Sequence, residues 1–462
     1  MIWLVRIPFL DRAGELRRLS RFLSGDHGNL GVIYGRRRCG KSTLMHQVRG
    51  QDDVYFLADQ RAARLQIQTL AVEAGRVVPE LAAASYASWD ALLGTLDARV
   101  GRRLNLAIDE FPYLVGVSPE LPSLIQRYLD QPGSKKLRFL LCGSSQRMMQ
   151  GLVLDRTAPL YGRAQEILKI EPLRPGWIST ALGVQGDAAI AAYAVWGGVP
   201  RYWELAREHA SLEQAVRDLV LDRHGVLHDE PAGLLLDDLR TAGQAYSLLS
   251  LVGAGCNRLS EIAARLGKPA GSLTRPLSNL IDLGYIRKDV PFGESDRSSK
   301  RTLYRVSDPF LSFFFRFLQP SRSLLELGLV APVQARIKEE LPAHVAGVWE
   351  NLARQSVPFL RLGGIEWGPA ARWWGAGAHG GLELDVVAES LDRRRVLIGE
   401  AKWSERRPDV RRWGAQLRAR AAGAPFVRDR EVVYALWLRQ GATPGSGPEA
   451  VVTPDAVLGA LR

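Results

Sequence analysis

Sulfur is scarce in this sequence: its 462 residues include three cysteines and four methionines. Cys39, Cys142 and Cys256 are odd in number, far apart and without metal-ligand spacing, which excludes a disulfide-stapled fold and points to a reducing, cytoplasmic setting. Long apolar runs are also missing. The greasiest, Phe310–Leu318, is nine residues long and contains Arg316. A membrane-spanning helix needs roughly 20 apolar residues, so a buried helix is expected there and no membrane partner. The start, Met1-Ile2-Trp3-Leu4-Val5-Arg6, is too short for the apolar core of a signal peptide. Acids are outnumbered: 49 Asp and Glu face 61 Lys and Arg, for a net charge of +12. That balance favours acidic partners, nucleic acid first.

What is present is a multidomain α/β chain. The apolar fraction, 46%, is enough for packed cores. Residues 1–170 alternate strand-like and helical runs, as a parallel sheet requires. Its expected strands are Leu30–Tyr34, Val54–Ala58, Leu104–Asp109, Leu137–Cys142 and Glu166–Ile170. Residues 171–239 read as a helical lid, 240–307 as a winged helix-turn-helix, 308–334 as a linker and 335–462 as a mixed α/β domain.

Gly35-Arg36-Arg37-Arg38-Cys39-Gly40-Lys41-Ser42 matches G-x-x-x-x-G-K-[ST] at every fixed position, after an apolar strand and before a helix opening at Thr43. Such a loop wraps backbone N–H groups around phosphates, aided by the helix N-terminus. Lys41 is expected at the β- and γ-phosphates and Ser42 on Mg²⁺. The strand Leu104–Asp109 ends in Asp109-Glu110, with Asp109 placed toward the metal and Glu110 as general base for water. After Leu137–Cys142, Ser144 and Ser145 are equal candidates to sense the γ-phosphate. Arg163 is a candidate arginine finger or sensor; acting in trans it would require a second copy of the chain. ATP and Mg²⁺ are the expected cofactors.

These residues resemble the archaeal-type ATPases of the AAA+/STAND group of P-loop NTPases. The carrying segments are Phe9-Leu10-Asp11-Arg12, Gly35–Ser42, Ile108-Asp109-Glu110-Phe111-Pro112-Tyr113, Leu160-Tyr161-Gly162-Arg163 and Gly197-Gly198-Val199-Pro200-Arg201-Tyr202. Asp11 stands where Gly or Asn is commoner. The resemblance implies an extra strand between the P-loop strand and the Asp109 strand, a helical lid, and Phe9–Leu16 near the adenine.

Residues 240–307 read as helices Gln244–Leu251, Leu259–Gly267 and Ser272–Leu283, then a basic hairpin. Gly267 stops the second helix and Ser272 is expected to cap the third. In such a domain the third helix enters the major groove, here offering Ser272, Thr274, Arg275 and Asn279 to DNA. Arg297, Lys300 and Arg301 on the wing would meet phosphates. A protein dock is the alternative.

In the last domain, Glu383–Ala388 and Val396–Lys402 read as a hairpin that sets Asp385 beside Glu400, with Lys402 on the same face. Two carboxylates can hold Mg²⁺ and an ammonium can stabilise developing charge. The order of elements, with Ala343–Ser356 first and bringing Glu350, resembles the PD-(D/E)xK nuclease superfamily. Strands near Gly363–Trp374 and Val432–Trp437 and a helix Pro408–Ala421 complete it. Arg406, Arg407, Arg411, Arg412, Arg418 and Arg420 can form a phosphate-facing surface. A C-terminal domain of unknown function is a common fusion partner of the archaeal-type ATPases. The expected function is an ATP-gated, metal-dependent nuclease or DNA-processing factor. A STAND-like regulatory switch that no longer cuts, and a protein-remodelling ATPase, stand beside it.

Overall fold

The computed structural model describes residues 7–25, 28–133, 135–238, 242–297, 299–377, 380–406, 409–427, 430–440 and 450–462. Met1–Arg6, Ser298, Arg407 with the expected helix start at Pro408, and the expected domain boundary at residues 239 and 240 lie outside them. The chain divides into two compact units. The first is Phe9–Pro172, joined by the segment starting at Gly233; the second comprises Leu173–Ala232 and Thr241–Arg462.

In the first unit, β1 (Leu30–Tyr34), β2 (Val54–Leu57), β3 (Leu104–Asp109), β4 (Leu137–Gly143) and β5 (Glu166–Lys169) form a parallel sheet ordered β2-β3-β4-β1-β5. Every residue of β1 and β4 is buried. Strands covered on both faces need continuous apolar sequence, which is why these runs were readable. β4 lies between β1 and β3, the extra strand that the resemblance implies. Because chain order and sheet order differ, the loops after β1, β3 and β4 meet at one carboxyl edge.

The second unit begins with helices, including Gly186–Trp196 and Pro200–Ala206. Helices Ala242–Gly253, Leu259–Leu266 and Ala270–Asp282 follow, then the antiparallel hairpin β6 (Ile286–Asp289) and β7 (Leu303–Val306). Gly267 ends the second helix in the left-handed region, at φ 61°. The third starts earlier than expected. Its cap position is Pro269, and Ser272 lies inside, donating its hydroxyl to Pro269 O at 2.7 Å.

The expected linker is mostly helical. Pro309–Phe313 continues through Leu318, burying Phe310, Phe313, Phe314, Phe315 and Phe317. A single helix then runs Val330–Ser356, starting well before Ala343 and accommodating Pro342 internally. No helix among the described residues is long and apolar enough to cross a membrane. The last sheet is ordered β12-β11-β10-β9-β8. Its strands are β8 (Ala371–Gly377), β9 (Gly380–Glu389), β10 (Arg395–Lys402), β11 (Glu431–Leu438) and β12 (Ala450–Val452). β8, β9 and β10 pair antiparallel; β10, β11 and β12 pair parallel. β8 begins later than Gly363, because Gly363 and Gly364 adopt positive φ in a turn and Pro369 intervenes. The helix Val410–Ala421 is capped by Asp409, whose Oδ1 accepts from Arg412 N at 3.0 Å.

Candidate functional site

The P-loop is tightly built. Gly35 has φ 149°, and a Cβ there would come within 2.3 Å of Ile170 O, so only glycine lets the loop leave β1 this way. Gly40, at φ 87°, opens the helix Lys41–Val48. Cys39 turns its side chain into an apolar cluster with Leu19, Ile33, Leu44 and Met45, leaving only its backbone to the loop. Arg36 is buried; Arg37, Arg38, Ser42 and Thr43 are exposed. Lys41 is 5% exposed and donates to Gly35 O (2.9 Å) and Arg36 O (3.1 Å). The lysine thus rests on the carbonyls of its own loop.

Arg12 braces that loop, donating to Cys39 O (3.3 Å) and Glu171 O (2.6 Å). Asp11 before it has φ 55°, a conformation that Gly, Asn and Asp tolerate best, which explains the residue types usual there. Phe9 is exposed.

Asp109 is 1% exposed at the end of β3. Its Oδ1 accepts from Glu110 N (3.0 Å) and its Oδ2 from the Tyr55 hydroxyl (2.9 Å). Tyr55 also lies against the P-loop helix: its ring is 4.4 Å from that of His46 and 5.3 Å from the Arg49 guanidinium. Burial, then the Asp109 charge, push the Tyr55 phenol above its ordinary range, so it remains a neutral donor. Burial, then the same charge, push the Cys142 thiol up. Glu110 has φ 53°, uncommon for a non-glycine residue. Its carboxylate accepts from the Ser144 hydroxyl and from Ser144 N (3.3 Å). Ser144, not Ser145, is therefore the serine that holds Glu110. Arg12 belongs to a motif that the sequence offers, whereas Tyr55 does not; a lone tyrosine on an apolar strand beside the acidic one was the available signal for it.

Arg163 lies elsewhere. It precedes β5, at the amino edge of the sheet, where Gln165 Oε1 accepts from Asn29 N and Leu30 N, both at 3.0 Å. The P-loop follows β1 at the opposite edge, a strand length of about 13 Å away. Arg163 forks onto Asp130 (2.8 and 2.7 Å) and donates to Pro159 O and Tyr161 O (both 3.1 Å).

On the C-terminal sheet, register carries Asp385 opposite Glu400, one step beyond Gly399↔Val386. Gly399 is required: a Cβ would sit 2.4 Å from the Trp437 ring. Glu400, 4% exposed, is neutralised by Lys402 (2.5 Å) and by Arg420 from the helix Val410–Ala421. Asp385 Oδ2 accepts from Ala401 N (3.0 Å), and Arg354 donates to Asp385 O (2.8 Å). Burial, then Glu400 and Glu350, push the Asp385 carboxyl up to about 6. Glu350 acts through space, but no group of three or more Asp, Glu, His or Cys converges as a metal site among the described residues. Both Glu400 oxygens already hold cations, so these residues do not fit Mg²⁺ as arranged.

The winged helix presents Ser272, Thr274, Arg275 and Asn279 to solvent, and on its wing Arg297 and Lys300 are exposed. Arg301 is otherwise employed. It pairs with Glu294 and donates to Trp374 O of β8 at 2.6 Å. Phe292 N donates to Arg372 O (2.9 Å), and the Phe292 ring meets Phe426 edge-on at 5.3 Å. The wing base is docked on the C-terminal sheet.

Residues 9–201 match a model described as an ATPase domain predominantly from Archaea. Residues 244–290 match an IclR helix-turn-helix domain, and residues 314–413 a family of archaeal and bacterial proteins of unknown function. An uncharacterised protein of Methanocaldococcus jannaschii is 28% identical over 413 residues, covering 86% of this chain and 88% of its own. The Walker-type ATPase structure of Pyrococcus abyssi aligns with TM-score 0.51 at 20% identity, covering 66% of this chain and 95% of its own. The ORC2 protein of Aeropyrum pernix aligns with TM-score 0.43 at 17% identity, over 70% of this chain and 96% of its own. The fold is that of a Walker-type ATPase, joined to a helix-turn-helix and a C-terminal mixed sheet.

Proposed function

We propose that this chain hydrolyses ATP at the P-loop and binds DNA through its winged helix, with nucleotide state governing that contact. The observation that carries the reading is the convergence of Lys41, Asp109, Glu110 and Ser144 at one sheet edge. The glycine cradle at Gly35, the exposed Ser42 that follows Lys41 and the buried Asp109 that ends β3 fit a triphosphate with Mg²⁺. The loop amides and Lys41 would hold the phosphates, while Ser42 and Asp109 would hold the metal. Bound Mg²⁺ would neutralise charge on the phosphate oxygens. Glu110, once released by Ser144, takes a proton from water. Differential affinity of ATP and ADP for two arrangements of the chain would supply the switch. The archaeal ATPase match and the fold support hydrolysis. The helix-turn-helix match, the exposed Thr274, Arg275 and Asn279, and the net charge of +12 support DNA.

DNA cleavage by the C-terminal face is the second reading, favoured by Asp385, Glu400 and Lys402 sharing one face of β9–β10. A regulatory switch without cleavage is the form that the neutralised Glu400 favours. Arg163 as a finger offered to a second copy would make the ATPase an oligomer. One experiment separates these forms. The protein is incubated with single-stranded, duplex and branched DNA, with and without Mg²⁺ and ATP, beside Lys41→Ala and Asp385→Ala. DNA binding that tracks nucleotide, with no cleavage, supports the switch. Cleavage lost in Asp385→Ala establishes the nuclease. Absence of both binding and cleavage removes DNA as the partner.

A further inference from the structure

The second unit contains a cavity of about 210 Å³ that neither reading above employs. It opens where the end of the helix Ala242–Gly253, the hairpin β6–β7 and the helix Val330–Ser356 come together. Its charged lining has one sign. Arg287, Arg305 and Arg316 face it, and among the described residues no aspartate or glutamate does. Ser312 and Asn351 add neutral hydrogen-bonding groups. His344 also lines it; burial holds that imidazole down to about 4, so it adds no charge at neutral pH.

The counter-charges lie behind the wall and are shared. Asp289 serves both Arg287 (3.1 Å) and Arg305 (3.2 Å). Glu340 serves both Arg316 (3.6 Å) and Arg336 (3.5 Å). Four guanidinium groups therefore divide two carboxylates. Arg305 Nε, despite its nearness to Asp289, is buried without an aligned acceptor. Like charges gathered around partly enclosed space repel, and an anion in that space relieves them. The planar guanidinium fork matches the oxygens of a tetrahedral oxyanion. The volume is below the roughly 300–1,000 Å³ usual for drug-sized ligands, so it suits a phosphate group rather than a whole nucleoside triphosphate.

We propose that this cavity is a binding site for a phosphate-bearing small anion, separate from the P-loop. Its ligand is either free phosphate or the phosphate of a nucleoside monophosphate. The occupied site joins the winged-helix hairpin to the helix that carries Glu350.

The test uses full-length Lys41→Ala protein, which disables the phosphate lysine of the P-loop. Titration calorimetry is run with inorganic phosphate and, separately, with AMP. Two variants are added to that background. Arg316→Gln removes one guanidinium. Gly347→Leu fills the cavity from a helical position where an added Cβ meets nothing within 4 Å, leaving every arginine in place. The expected result is binding of at least one ligand, weakened about tenfold or more by each variant. Binding of phosphate alone identifies the free anion as ligand; comparable binding of AMP identifies the nucleotide. If neither ligand binds the Lys41→Ala protein, or if both variants bind as it does, the proposal is overturned.

Discussion

The edge of the first sheet and the face of the last both gather acidic side chains, yet they treat them differently. Asp109 and Glu110 are held by neutral donors: the Tyr55 phenol, the Ser144 hydroxyl and backbone N–H groups. Their negative charge is oriented without being cancelled, and Lys41 rests on carbonyls nearby. Glu400 has instead taken two cations, Lys402 and Arg420. An acid oriented by neutral groups can still receive a metal or a proton. An acid already paired must first lose a partner, and leaving the buried Glu400 carboxylate unpaired is costly. The difference separates acids oriented by neutral donors from an acid already paired with two cations.

The comparison is broken most severely at Glu110. Glu110→Gln should lower ATP turnover about 100-fold or more while leaving nucleotide affinity near wild type, measured by phosphate release and fluorescent-nucleotide titration. At the other site, the Asp385 carboxyl is raised from 3.8 to about 6. The folded protein therefore holds a proton that the unfolded chain releases earlier, and stability falls as pH rises through that window. The loss amounts to at most about 3 kcal/mol, from 1.36 kcal/mol per pH unit. Asp385→Asn should flatten this slope and be more stable than wild type at pH 7.5, as urea unfolding at several pH values would show. An unchanged slope would mean that Asp385 does not titrate as described. On the winged helix, Arg275→Ala should weaken DNA binding and lower the salt slope by about one. Arg301→Ala should leave that slope unchanged, because its guanidinium is engaged by Glu294 and Trp374. The smallest effect is expected at Tyr55. Tyr55→Phe removes one neutral donor from Asp109 and should cost about 1 kcal/mol, roughly fivefold in turnover, with a raised Mg²⁺ requirement. A Tyr55→Phe protein with normal Mg²⁺ dependence would show that the phenol only packs.

What could be read in advance depended on how far apart the partners lie in the chain. The P-loop is contiguous, and its glycines are dictated by the loop's own backbone, so Gly35–Ser42 was legible residue by residue. The Asp385–Glu400 pairing was legible because a hairpin keeps its register through a short turn. Partners supplied by packing were hidden. Tyr55 and Asp109 are 54 residues apart and meet only because β2 lies beside β3. Arg420 reaches Glu400 across 20 residues, through a helix whose direction no strand pattern reveals. Arg301 reaches Trp374 across 73 residues, so a wing that reads as free and basic is anchored at its base. Arg163 contacts Asp130 across 33 residues, another partner that its own motif does not reveal.

The central claim is that Gly35–Ser42 and Asp109-Glu110 form a working ATPase site. Steady-state release of phosphate from Mg²⁺-ATP, by wild type and Lys41→Ala side by side, tests it most directly. Turnover by wild type and its loss in the variant are expected. A Lys41→Ala protein that hydrolyses ATP as fast as wild type would contradict it.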